Sequence, residues 1–353
     1  MADRAWIATR KGLIDYRLEA SGWRAAGLHF PADPVTAVLE HDGVVLVALN
    51  LGHFGPKLFR RESGGEKWDE VPTPAYPPQP DPEVKPAWKL VQIWTLEAGP
   101  DGTFWAGTLP GGLFRSRDKG LTWEFVESLW NVPQRAKWFG GGYDTPGIHS
   151  ICFDASRPGA VVLGVSCGGV WHSFDGGASW QQPARGLRAS FLPPEQAYEP
   201  ESQDPHRIVQ CKSNPNRMWC QHHCGVFVSD DFGVTWTEPK TSPFGFAVAA
   251  HPSDPDTAWF VPAVKDERRI PSGEALYVLR TRNGGESFEE LRAGLPQRDC
   301  YDLVYRHCLD VDETGKRLAF ASTTGNLWAS DNGGDSWRLI NAHLPPVYAV
   351  RFV

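Results

Sequence analysis

The chain has 353 residues, 41% of them apolar, with 16 Trp, 36 Gly and 30 Pro, a composition suited to many short strands joined by tight turns. Its formal charge of -7 comes from well-mixed signs with no basic run, which argues against nucleic acid or an anionic membrane as a partner. No segment approaches the ~18 apolar residues of a membrane span, the start MADRAWIATRKG has no apolar signal core, and seven scattered cysteines point to reduced thiols in a cytoplasm.

In chain order, AWIATRKGLIDYRL and GWR predict three strands with nothing before them. A unit then recurs, each copy closing on a similar turn: RESGGEKW (61–68), SRDKGLTW (116–123), SFDGGASW (173–180), SDDFGVTW (229–236), TRNGGESF (281–288) and SDNGGDSW (330–337). The first copy is decayed. The closing aromatics at 68, 123, 180, 236, 288 and 337 set a period of about fifty residues, the size of one four-stranded propeller blade. Within the turn, Gly at the fifth position permits a left-handed backbone. Asp or Asn and Ser or Thr can bond the turn amides, and the Trp or Phe packs between neighbouring sheets.

These turns resemble the Asp-box, or bacterial neuraminidase repeat, of sialidases, sortilin-type receptors and several glycoside hydrolases. The resemblance implies a turn between the third and fourth strands, away from the catalytic face, and so a structural role for Asp118, Asp175, Asp231, Asn283 and Asn332.

The last segment, VYAVRFV (347–353), reads as an innermost strand with nothing after it. Pairing it with the N-terminal strands completes a seventh blade and removes the open sheet edges. The expected fold is therefore all-β, a seven-bladed propeller forming a single domain over 1–353. Its blades fall at 35–72, 91–127, 147–183, 204–239, 244–292, 305–340, and 347–353 with 5–25. A six-bladed ring would leave the N-terminal strands unassigned.

Equivalent positions can be aligned within the repeats. His149, His206 and Phe246 each lie nine residues before a proline, while His307 and Trp94 lie eight before a glycine. With Thr36 and Tyr348 they form one set of seven at the start of the innermost strands, which line the channel mouth of a propeller. His222 and His223 occupy the next strand-to-strand loop at that face, although consecutive strand residues point to opposite sides. Imidazoles bind Zn, Mn, Fe or Cu, so His149, His206, His307 and His223 are the candidate ligands of a divalent transition metal. The bland reading gives them backbone carbonyls and water. Cys220 and Cys224, spaced C-x3-C, have no second pair to complete a structural zinc.

His222 or His223 would serve as catalytic base, with Arg10 and Lys11 of TRKG holding an anionic group. Trp94, Phe246 and Tyr348, with Trp138, Tyr143 and Tyr198 from long rim connections, would form the substrate walls. The RRIP run (268–271) falls in a fifth-blade insertion, not in the first blade where the sialidase Arg-Ile-Pro motif is expected, which argues against sialidase activity. No phosphate loop, dinucleotide fingerprint or nucleophile elbow is present.

The sequence thus points to a propeller enzyme with a histidine-held metal, acting on a sugar, uronate or small oxygenated acid by lyase, hydrolase or oxygenase chemistry. A metal-free glycoside hydrolase using rim carboxylates is one alternative, and a non-catalytic protein- or peptide-binding scaffold is the other.

Overall fold

The computed structural model describes every residue except Val84. Among the described residues the strands form seven antiparallel sheets, five of four strands and two of three. In the two shorter sheets the fourth strand is reduced to a bridge, His172 to Gln181 and Val228 to Thr237. Among the described residues the helical pieces are a single-turn α-helix, Glu127–Trp130, and five short 3-10 segments, so the chain is nearly all-β. The architecture is a seven-bladed β-propeller, closed by pairing Val347–Phe352 with Arg4–Thr9 in one sheet.

The sequence resolves into two compact units. The first comprises Met1–Ala32, Ala184–Ala197 and Pro205–Val353. It holds four sheets, whose innermost strands are Pro205–Cys211, Gly245–Ala250, Leu309–Val311 and Val347–Phe352. The second, Asp33–Pro183 with Tyr198–Asp204, holds three. Their innermost strands are Val35–His41, Gln92–Ala98 and Ile148–Phe153.

Strands such as Val44–Asn50 (VVLVALN) and Phe104–Leu109 (FWAGTL) are almost continuously buried. Sheets stacked face to face cover both sides of their middle strands, so apolar runs replace strict alternation. In the second unit, Leu46, Leu58, Ile93, Phe104 and Phe114 share one core cluster. In the first, Ile7, Trp259, Phe320, Trp328 and Trp337 belong to another.

The repeat turns are hydrogen-bonded cages. In SFDGGASW, Ser173 Oγ donates to Asp175 Oδ1 at 2.8 Å and accepts from Gly177 N at 2.8 Å. Ser179 donates both its amide (2.9 Å) and its hydroxyl (2.5 Å) to Asp175. Asp118 and Asp231 repeat the pattern with Thr122 and Thr235. Where Asn replaces Asp the side-chain bond reverses, and Asn332 Nδ2 donates to Ser336 Oγ at 2.9 Å. The decayed copy has Arg61 in the serine place, and its guanidinium lies 4.3 Å from the Trp68 ring centre.

Candidate functional site

Pairing within each blade fixes what the spacing argument predicts. Thr36, Trp94, His149, His206, Phe246 and Tyr348 are each the extra residue of a β-bulge at the start of an innermost strand. A bulge leaves one residue out of the ladder and re-aims its side chain. The sixth blade departs from this. His307 precedes its strand and makes instead an isolated parallel bridge to Ala349.

In the second unit the bulge side chains turn toward backbone and neighbouring rings. Thr36 Oγ1 donates to Ile93 O at 2.8 Å. Trp94 packs edge-on to His149, with ring centres 5.3 Å apart, and to Tyr143 at 5.1 Å. His149 is fully buried, with Nδ1 2.9 Å from Ser150 Oγ. Trp138 is also buried, edge-on to Trp171, so it supports this end of the sheet, whereas Tyr143 and Tyr198 are exposed.

The first unit gathers more chemistry. His206 lies flat on Phe246, with ring centres 4.6 Å apart at 12°, and His223 approaches His206 edge-on at 5.3 Å. Phe191 and Phe244 pack against His223 at 4.8 and 5.7 Å. His206 Nδ1 lies 2.7 Å from Gly245 O. A carbonyl only accepts, so Nδ1 carries the proton, and Nε2 is the nitrogen that a neutral ring would offer to a metal.

His222 and His223 diverge, as strand alternation requires. His222 is fully buried, accepts Cys224 N at Nδ1 (3.1 Å) and faces Phe227. Cys220 is buried in strand Asn214–His222, and Cys224 Sγ accepts from Ser190 N and Oγ, both at 3.2 Å. Arg10 and Lys11 are exposed in the turn between Arg4–Thr9 and Gly12–Glu19, where Arg10 N bonds Pro346 O. That places them at the end of the sheet that carries Tyr348.

Arg306, and Arg269 of the RRIP run set aside in the sequence analysis, also converge on Phe246. The Arg306 and Arg269 guanidinium carbons lie 5.5 and 5.6 Å from its ring centre. Arg306 is buried, while Arg269 comes from the 264–273 insertion and is partly exposed. Tyr305 also meets the Phe246 ring edge-on at 5.1 Å. Arg269 is braced by Asp266 Oδ1 (2.7 Å) and Tyr305 Oη (3.2 Å).

Among the described residues of the first unit, His206 and His223 bring candidate ligand atoms within 4.8 Å of one another. His149, His307 and the two cysteines are not in that group. Asp204 precedes His206 by two residues, and its Oδ1 accepts from Cys167 N at 3.0 Å and Ser166 Oγ at 3.2 Å.

No family model matches the chain. A probable oligoxyloglucan-reducing end-specific xyloglucanase of Neosartorya fischeri is 23% identical over 218 residues, which cover 53% of this chain and 25% of that protein. The chain thus spans about a quarter of the length of that relative. Among solved structures, an ancestral GH74 enzyme superposes with a TM-score of 0.58 at 16% identity, over 96% of this chain and 39% of the other. YCF48 bound to a D1 peptide superposes at 0.54 and 14% identity, over 87% and 82%. No helix among the described residues is long and apolar enough to cross a membrane. At these identities the structural likeness is one of fold, that of the β-propeller.

Proposed function

We propose that the protein is a metal-dependent enzyme acting on a small oxygenated substrate of the carbohydrate type, with a divalent cation held by His206 and His223. The observation that carries this reading is the preset tautomer of His206. Its Nδ1 proton is committed to Gly245 O, the outer-sphere arrangement that leaves Nε2 as a ligand. Two imidazoles suit Zn, Mn, Fe or Cu and leave coordination positions open. A cation bound there would polarise a substrate oxygen or lower the pKa of water.

The carbohydrate class draws support from the xyloglucanase relative, and the neuraminidase-type repeat turns fit the same reading. His223 sits on a loop and is half-buried, which leaves it room to close on a cation. His149 and His307 serve in this reading as buried lining, not ligands. The test is the metal content of untagged protein by plasma mass spectrometry, beside a His206→Ala, His223→Ala double variant. About one equivalent in the parent and its loss in the variant is the expected result. No uptake after reconstitution with Zn, Mn, Fe and Cu would replace this reading with a metal-free glycosidase or a binding scaffold.

A further inference from the structure

We infer that Gln221 is a positioning residue for the paired imidazoles, holding His206 and His223 in one arrangement before a cation arrives; this rests on the function proposed above. Strand alternation is the starting point. Side chains two apart in Asn214–His222 share a face. Trp219, Gln221 and, just past the strand end, His223 all face the fifth blade and the segment leading into it. Trp219 packs edge-on to Phe260, with ring centres 6.0 Å apart, and His223 meets Phe244 in the same way at 5.7 Å. Between these two ring contacts the chain places an amide, and Gln221 is fully buried.

A buried amide is costly unless its hydrogen bonds are made, and the bonds of this one join two segments. Gln221 Nε2 donates toward Gly225 O at 3.1 Å, Pro243 O at 3.1 Å and His222 O at 3.3 Å. Three carbonyls around one nitrogen fix the orientation of the amide, because only its NH2 end donates. His222 and Gly225 bracket the turn that carries His223. Pro243 opens the segment that orients His206. Gly245 O in that segment accepts the His206 Nδ1 proton at 2.7 Å, and Phe244 stands edge-on to His206 at 5.5 Å. One side chain therefore ties the turn of one imidazole to the backbone acceptor of the other.

The surrounding backbone suits that reach. In the ladder with Pro205–Cys211, Gln221 pairs with Arg207 and His222 with Pro205, so the bulge residue His206 lies across from the Gln221–His222 step. A Cβ at Gly245 would stand 2.7 Å from Val261 O and 3.0 Å from Gln221 Oε1. One at Gly225, where φ is +133°, would run into Ser242 Oγ. Glycine at both places lets the two segments close around the amide. Ser242 adds a second tie, its Oγ accepting from Val226 N at 2.7 Å and donating to Val226 O at 3.2 Å.

The test compares the parent with Gln221→Met, which keeps the length and loses the donors, and Gln221→Asn, which keeps the amide and loses the reach. Two readings are taken on folded protein. One is the nitrogen NMR spectrum of the His206 and His223 rings without metal, and the other is Zn affinity by calorimetry. At a pH where the ring is neutral, His206 of the parent should show one tautomer, protonated at Nδ1. Both variants should mix tautomers at His206 and lose about ten-fold in Zn affinity. Gly294→Ala, whose added Cβ meets Trp337 O, is the destabilised control and should keep both readings. An unchanged His206 tautomer in both variants, unchanged Zn affinity in both, or the same changes in Gly294→Ala would each overturn the inference. If Gln221→Met does not fold, Gln221→Asn decides alone. A parent that takes up no Zn, Mn, Fe or Cu would break the metal reading, and the ring-nitrogen spectra would still decide this one.

Discussion

At the turn ending in Trp123, Trp180, Trp236, Phe288 or Trp337, five blades carry nearly the same residues. At the bulge that opens the innermost strand, six blades carry Thr, Trp, His, His, Phe and Tyr. The backbone repeats at both places, but only the turn repeats its chemistry. In the turns, polar side chains satisfy one another, as Ser173, Asp175 and Ser179 do, and little remains to meet a ligand. In the bulges the repeat supplies a fixed place and leaves the side chain free to differ. Constancy within one chain thus marks the frame. Variation at a constant geometry marks where a site can be built.

The comparison breaks most decisively at His206 and His223. Replacing both with Ala should lower metal affinity by about 100-fold or more. Neither residue belongs to the cage of any repeat turn, so the thermal midpoint of the metal-free protein should move by only a few degrees. A variant that unfolds would instead make the imidazoles part of the frame. The reverse experiment is Gly294→Ala. Gly294 has φ of +84°, and an added Cβ would lie 1.9 Å from the carbonyl oxygen of Trp337, the closing residue of a repeat turn. Left-handed strain together with that clash should cost about 3–4 kcal/mol by urea denaturation. The refolded fraction should keep its metal content.

The same contrast explains what could be read from the sequence. The turns announce themselves because local hydrogen bonding demands Ser, Asp and Gly at fixed offsets. Blade number and ring closure follow from counting them. The bulge positions emerged only by alignment of one blade with another, since nothing local distinguishes His206 from any other strand histidine. His222 and His223 are adjacent and identical, and strand direction alone sends one into the core and the other toward His206. Arg269 and Arg306 were illegible as a pair. They are 37 residues apart in number, and they meet only because an insertion and the lead into the next blade both pack on Phe246. His307 was placed by spacing in the same series, but its blade begins with a bridge in place of a bulge.

A smaller effect tests whether the turn chemistry is as self-contained as its geometry. The hydroxyl and amide of Ser179 hold the Asp175 carboxyl down at about 2. At Asp118 and Asp231 partial desolvation pushes upward, and the Thr122 and Thr235 hydroxyls and amides outweigh it. A carboxylate with a folded pKa below its unfolded value stabilises the protein above the unfolded value. That contribution fades as pH falls through about 2. Asp175 is exposed, so solvent screening keeps the gain well below what the full shift would imply. Asp175→Ala should cost about 1–2 kcal/mol at neutral pH, from the lost cage bonds, and less at pH 2. Asp175→Asn is the sharper variant, because Asn283 and Asn332 already hold equivalent turns with the side-chain bond reversed. It should lie within about 0.5 kcal/mol of the parent at pH 7 and lose this turn's share of the acid sensitivity. Equal losses in the Ala and Asn variants at pH 7 would mean that the carboxylate charge, not the cage of hydrogen bonds, holds the turn. Metal content should be the same in both variants, because the turn and the bulge share a backbone and no chemistry.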